Sequence, residues 1–122
     1  MQVSEAESVV MEVLWSRSPL GADDVVAALS TRSDWAEPTI KTLLNRLLKK
    51  GAIQAERDGR RYLYSPVLTR ESWVASQSEG VLERLFGGRV APLVAHFSER
   101  GKLSQDDIDE LKRLVGEIDD ER

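Results

Sequence analysis

Between residues 37 and 65 the apolar side chains change from a helical period to an alternating one, and that change narrows the folds open to this chain. Ile40, Leu43, Leu44, Leu47 and Leu48 recur at helical spacing. Pro38 stands where a first-turn proline is tolerated, and Gly51 stands where a helix can stop in the left-handed conformation. These signals predict a helix over residues 37–50. Beyond Gly51 the pattern alternates through residues 52–56 and again through 62–65, and Asp58-Gly59 between them is a short-range hairpin signal. One helix therefore runs directly into a small β-hairpin.

Two helices are expected upstream. Ser4 and Glu7 have the spacing of a capping box, and Ala6, Val9, Val10, Val13 and Leu14 follow at helical intervals, which predicts a helix over 4–15. Residues 16–20, with Pro19, read as a connection. Gly21 then caps a second helix over 22–29, with Asp23 and Asp24 in its first turn and Val25, Val26 and Leu29 buried. Trp15 and Trp35 each border an apolar face and are expected to pack there. Helix, helix, helix, hairpin is the order of a winged helix-turn-helix, so the fold class is mainly α with a small β-hairpin wing, over residues 1–66.

Residues 67–122 read as a helical dimerisation region. A long helix is expected over 70–86, a short one over 89–97 and a last one over 105–119, capped by Ser104. Their apolar residues are too few for a separate core, and twofold association is the common way to cover such stripes. The residues expected at a dimer contact are Trp73, Leu82, Leu85, Phe86, Leu93, Val94, Phe97, Ile108, Leu111, Leu114, Val115 and Ile118.

Composition removes several kinds of function. There is no cysteine and a single histidine, His96, so disulfides, thiol chemistry and Cys/His metal sites are not expected, and no metal or other cofactor is assigned. No catalytic constellation is visible, which argues against an enzyme. Neither a membrane span nor a signal peptide is apparent, so a cytoplasmic protein without membrane insertion is expected.

The formal net charge of -4 hides an uneven distribution. Residues 1–65 hold nine basic and nine acidic side chains, whereas residues 66–122 hold eight basic and twelve acidic ones, which accounts for the whole excess. Within 37–61 seven basic residues face three acidic ones, a local surplus suited to a phosphate backbone. Thr39, Lys41, Thr42, Asn45, Arg46 and Lys49 lie opposite the apolar stripe of the third helix and form the expected DNA side. Thr42, Asn45 and Arg46 are the candidates for base contacts, and Lys41 and Lys49 for phosphates. Arg57, Arg60 and Arg61 surround the hairpin tip and are expected on the DNA backbone or in the minor groove, because unpaired they would repel one another. The competing reading is a winged helix that binds protein in an assembly and never touches DNA.

The chain resembles the penicillinase-repressor family of BlaI/MecI/CopY type. The likeness is carried by EAESVVMEVLW over residues 5–15, WAEPTIKTLLNRLLKKG over 35–51 and DGRRYLYSP over 58–66. It extends through Leu85-Phe86-Gly87-Gly88, Leu93-Val94-Ala95-His96-Phe97 and Leu103-Ser104. The resemblance implies a homodimeric repressor that binds an inverted-repeat operator near a promoter, with an upstream sensor or protease as a further partner. Thr39, Lys41, Thr42, Asn45 and Arg46 match the family's recognition-helix positions, and Arg60 with Arg61 its wing. In the beta-lactam-responsive branch the repressor is cleaved at an Asn-Phe bond in the dimerisation region; here that segment reads His96-Phe97, without the asparagine. The copper-responsive branch uses a cysteine-rich tail, which a chain without cysteine does not have.

Overall fold

The computed structural model describes residues 1–121, so only the final residue of the expected dimerisation region, Arg122, lies outside the described residues. The chain forms two compact units, Met1–Ala75 and Ser76–Arg122. Unit 1 contains α1 (Glu5–Ser16), β1 (Leu20–Gly21), α2 (Ala22–Ser30), α3 (Glu37–Lys50), β2 (Ile53–Asp58) and β3 (Arg61–Pro66). The helix α4 (Arg70–Phe86) begins in unit 1 and ends in unit 2, which also holds α5 (Val90–Glu99) and α6 (Gln105–Asp120). No helix of the described residues is long and apolar enough to cross a membrane.

The local signals explain the helix ends. Ser4 and Glu7 form the reciprocal capping box of α1, and Ser104 and Asp107 repeat it on α6. Gly51 ends α3 at φ 78°, a conformation open to glycine because it has no Cβ. Its N–H turns back to the carbonyls of Leu47 and Leu48, satisfying groups that the helix end leaves open. The core of unit 1 forms where α1, α2 and α3 meet over the start of β2: Val10, Met11, Leu14, Val25, Leu29, Ile40, Leu44, Leu47, Ala52 and Ile53 are all buried. Trp15 and Trp35 pack against it as expected.

Three features differ from the sequence-based expectation. The connection after α1 contains a strand, since Leu20 and Gly21 pair with Tyr64 and Leu63 and complete a three-stranded antiparallel sheet of order β1-β3-β2. Two residues are too short to carry a period, so nothing in the local pattern signals β1. The hairpin turn is displaced by one residue. Asp58 pairs with Arg61, which leaves Gly59 and Arg60, not Asp58 and Gly59, at the two turn positions. Gly59 has φ 64° and, among the described residues, none other than glycine has positive φ, so the positive angle falls only at the first turn position, as in a type II′ hairpin. Finally, the start of α4 belongs to the winged helix: the Trp73 and Trp15 rings lie 5.4 Å apart, Trp15 Nε1 donates to the Leu68 carbonyl at 2.8 Å, and Arg70 Nε donates to Glu12 at 3.1 Å.

Unit 2 is built differently. None of the residues of α4, α5 or α6 is buried. Its apolar side chains are half-buried or exposed.

Candidate nucleic-acid interface

Burial of Ile40, Leu43, Leu44 and Leu47 fixes the rotation of α3, and helical geometry then decides which side chains face outward. Thr39, Lys41, Thr42, Asn45, Arg46 and Lys49 are all exposed, so the six residues expected on the DNA side share one open surface. Their free donors are not equal. Thr42 Oγ1 donates to the Pro38 carbonyl at 2.9 Å, so its hydroxyl proton is engaged within the helix and its methyl and lone pairs are what it offers outward. The Lys41 ammonium stands 3.2 Å from the Glu37 carboxylate one turn earlier. Arg46 and Lys49 take part in none of the ion pairs of the described residues.

Lys50 belongs elsewhere. Although it contributes to the charge surplus of this segment, its ammonium lies 2.5 Å from Glu7 Oε1 and donates to the Gln2 carbonyl at 2.8 Å. It ties the end of α3 to the start of α1, and one of the seven basic charges is thereby spent on the fold.

The wing distributes its arginines over different directions. Residues directly opposite in an antiparallel pair share a face, so Arg57 projects with Tyr62 and Arg61 with Asp58, on opposite faces of the hairpin. Arg60 occupies the tip. The expected mutual repulsion of three clustered arginines is therefore avoided by the register. Arg57 Nε also donates to the Gly59 carbonyl at 3.1 Å and braces the turn, while Arg61 Nη1 lies 3.9 Å from Asp24. Asp24 in turn accepts the Gly21 N–H at 3.0 Å, which links the wing to the start of α2.

Between α3, β3 and the start of α2 lies an open groove of about 310 Å³, lined by Lys41, Asn45, Arg61, Tyr62 and Tyr64 together with Gly21 and Ala22. The fold thus brings Lys41, Asn45 and Arg61 to one concavity, with Arg46 and Lys49 further round α3 and Arg60 at the wing tip. The contribution of Gly21 and Ala22 to this groove had no sequence signal, because it depends on the short β1 pairing. In unit 2, His96 and Phe97 are exposed neighbours within α5, their rings 5.2 Å apart.

Residues 3–117 match the penicillinase repressor family. The chain is 35% identical over 116 residues to the penicillinase repressor of Bacillus licheniformis, which covers 95% of this chain and 91% of the relative. It is 30% identical over 114 residues to the methicillin resistance regulatory protein MecI of Staphylococcus aureus (strain N315), covering 93% of each. Among solved structures, the monomeric form of Bacillus licheniformis BlaI in complex with the blaP half-operator matches at TM-score 0.53 and 39% identity, over 59% of this chain and 88% of that one. A winged helix with this exposed third helix and these matches along nearly its whole length belongs to the penicillinase repressor family, a family of transcriptional repressors and not of enzymes.

Proposed function

We propose that this chain is a cytoplasmic transcriptional repressor that binds an inverted-repeat operator in duplex DNA as a homodimer. The observation that carries the reading is the single exposed surface of α3, with Thr39, Lys41, Thr42, Asn45, Arg46 and Lys49 beside a wing bearing Arg57, Arg60 and Arg61. In this reading α3 enters the major groove, with Asn45 and Arg46 at base edges and Thr42 offering its methyl, while Lys41, Lys49 and the wing arginines meet phosphates. Residues from Leu82 onward form the contact between copies. The unburied apolar faces of α4, α5 and α6 support that assignment; within its own chain Trp73 packs on Trp15 in unit 1, while Phe86 and Phe97 pack on His96 in unit 2. An upstream sensor or protease is the partner class for release, with His96-Phe97 as the candidate bond.

Footprinting the full chain on its own upstream genomic DNA is expected to protect two related half-sites about one helical turn, or a multiple of it, apart. Uniform weak protection of every duplex would overturn the proposal. Substitutions then separate the two kinds of contact. Arg46→Ala is expected to cost about 1–3 kcal/mol on the operator and to narrow the gap to random DNA. Arg60→Ala is expected to weaken both about equally and to lower the salt slope by about one unit. Equal losses on both duplexes from Arg46→Ala would remove it from the base-reading set.

A further inference from the structure

We infer that Glu37 is a base-reading residue: together with Lys41 it presents a carboxylate and an ammonium to one C·G base pair and sets a cytosine preference in each half-site. The inference rests on the duplex-binding reading above and refines it, moving Lys41 from a phosphate to a base edge.

Glu37 is the first residue of α3, and in a helix-turn-helix it is the start of the second helix that reaches the base edges. Its side chain is 52% exposed. It has no capping duty, because the N-cap position belongs to Ala36, where no side-chain cap bond forms. What holds it is Lys41, one turn on, at 3.2 Å. Glu37, Lys41 and Asn45 follow one another at intervals of four residues, so they form one row along the helix, and Lys41 and Asn45 of that row line the groove facing the wing.

A carboxylate on a surface that meets phosphates is repelled by them. That repulsion is relieved beside a base-edge donor in the major groove, cytosine N4 or adenine N6; adenine also sets the acceptor N7 next to its donor, which repels a carboxylate and leaves cytosine the better partner. The guanine of the same pair offers O6 and N7, both acceptors and both suited to a lysine ammonium. The pair in the free protein is therefore already arranged as acceptor and donor, complementary to donor and acceptors on C·G. A carboxylate serving only the helix dipole would do so from any exposed position of the first turn. Here it occupies the row that also carries Lys41 and Asn45.

The test is selection of bound duplexes from a random-sequence pool by the full-length protein, followed by competition among single-base variants of the selected site. The wild type is expected to enrich cytosine at one position of each half-site. Glu37→Ala is expected to lose about ten-fold of the discrimination at that position and to keep the preferences elsewhere. Glu37→Gln is expected to move the preference at that position from cytosine to adenine, because a carboxamide pairs with adenine N6 and N7. Both variants change an exposed side chain, and the shift to adenine is a gain that misfolding cannot imitate. If both variants instead tighten binding to all duplexes by the same factor and keep every base preference, Glu37 only screens Lys41 and the inference is overturned. A wild type that enriches no sequence overturns the duplex-binding reading itself, and this inference with it.

Discussion

Lys50→Met should destabilise unit 1 by about 2 kcal/mol at neutral pH, and the loss should shrink as the solution is acidified. The reason lies at Glu7, which is 1% exposed and is the buried charged residue of the core region. Its Oε1 accepts the Ser4 N–H at 2.8 Å and the Lys50 ammonium at 2.5 Å, whereas Oε2 has no hydrogen-bond partner among the described residues. Removing the ammonium leaves a carboxylate whose desolvation is offset only by the capping box. Breaking a fully buried pair costs about 3–5 kcal/mol; Lys50 retains some solvent, which places this pair below that range. For a unit of this size the expected loss corresponds to a fall in Tm of about 10 °C.

The pH dependence follows from the sign of the shift at Glu7. Burial pushes its carboxyl up, but the hydrogen bonds from Lys50 and Ser4 and the lysine charge outweigh burial and hold it below its ordinary value of 4.5. A depressed folded-state pKa contributes stability above the unfolded value and loses it as pH falls through the folded one. Wild-type stability from this group should therefore be full at pH 7 and decline below about 4.5. In Lys50→Met the carboxyl protonates more readily, so the difference between the proteins should be largest at pH 7 and small once Glu7 is neutral in both. Denaturant titrations at neutral and acid pH would measure it, and an equal gap at both would exclude the carboxylate as the cause. Because the ammonium is bound to Glu7 and Gln2, the salt slope of DNA binding should be unchanged by this substitution.

This lysine also illustrates how far local pattern reaches. The bounds of α3 were legible because burial period, Pro38 and Gly51 all lie within the segment and agree. Which of its residues are exposed followed from the same period. Their partners did not, because Lys50 is captured by a residue 43 positions away and Arg61 by Asp24 at the start of another helix. The placement of the wing arginines failed to follow for a related reason: a shift of one residue in the turn changes which side chains share a face, and the register is set by pairing along the whole hairpin, from Ile53↔Pro66 to Asp58↔Arg61. Trp73 reads as one more apolar residue of an amphipathic helix, and only the folded chain reveals Trp15 beneath it.

If the chain is the homodimer proposed above, Val115→Glu combined with Ile118→Glu is expected to yield a monomer and to weaken operator binding by about 10²–10⁴-fold, while binding to an isolated half-site changes little. Unit 2 has no buried residue in any helix, yet α6 exposes Leu114, Val115 and Ile118 on one side, the last two more than half exposed. Leu85, Val90 and Phe97 are exposed on α4 and α5. An amphipathic helix left with its apolar face in water has nothing to offset the entropy of ordering it, and in the proposed homodimer a second copy would supply that cover by symmetry. Glutamates at two of the exposed positions would face their own images or other apolar groups across such a contact, and the variant dimer would carry uncompensated buried charge. Sedimentation of the double variant should find monomers, and the operator affinity should fall because two half-sites are no longer engaged by one tethered pair of winged helices. A truncation after Ala75 should behave in the same way; cutting at Pro66 would also remove Trp73 and Arg70 from Trp15 and Glu12, and so confuse loss of the dimer with damage to the winged helix. A stable dimer of the truncated chain would place the contact in unit 1 instead, and the exposed faces of α5 and α6 would then need a different partner.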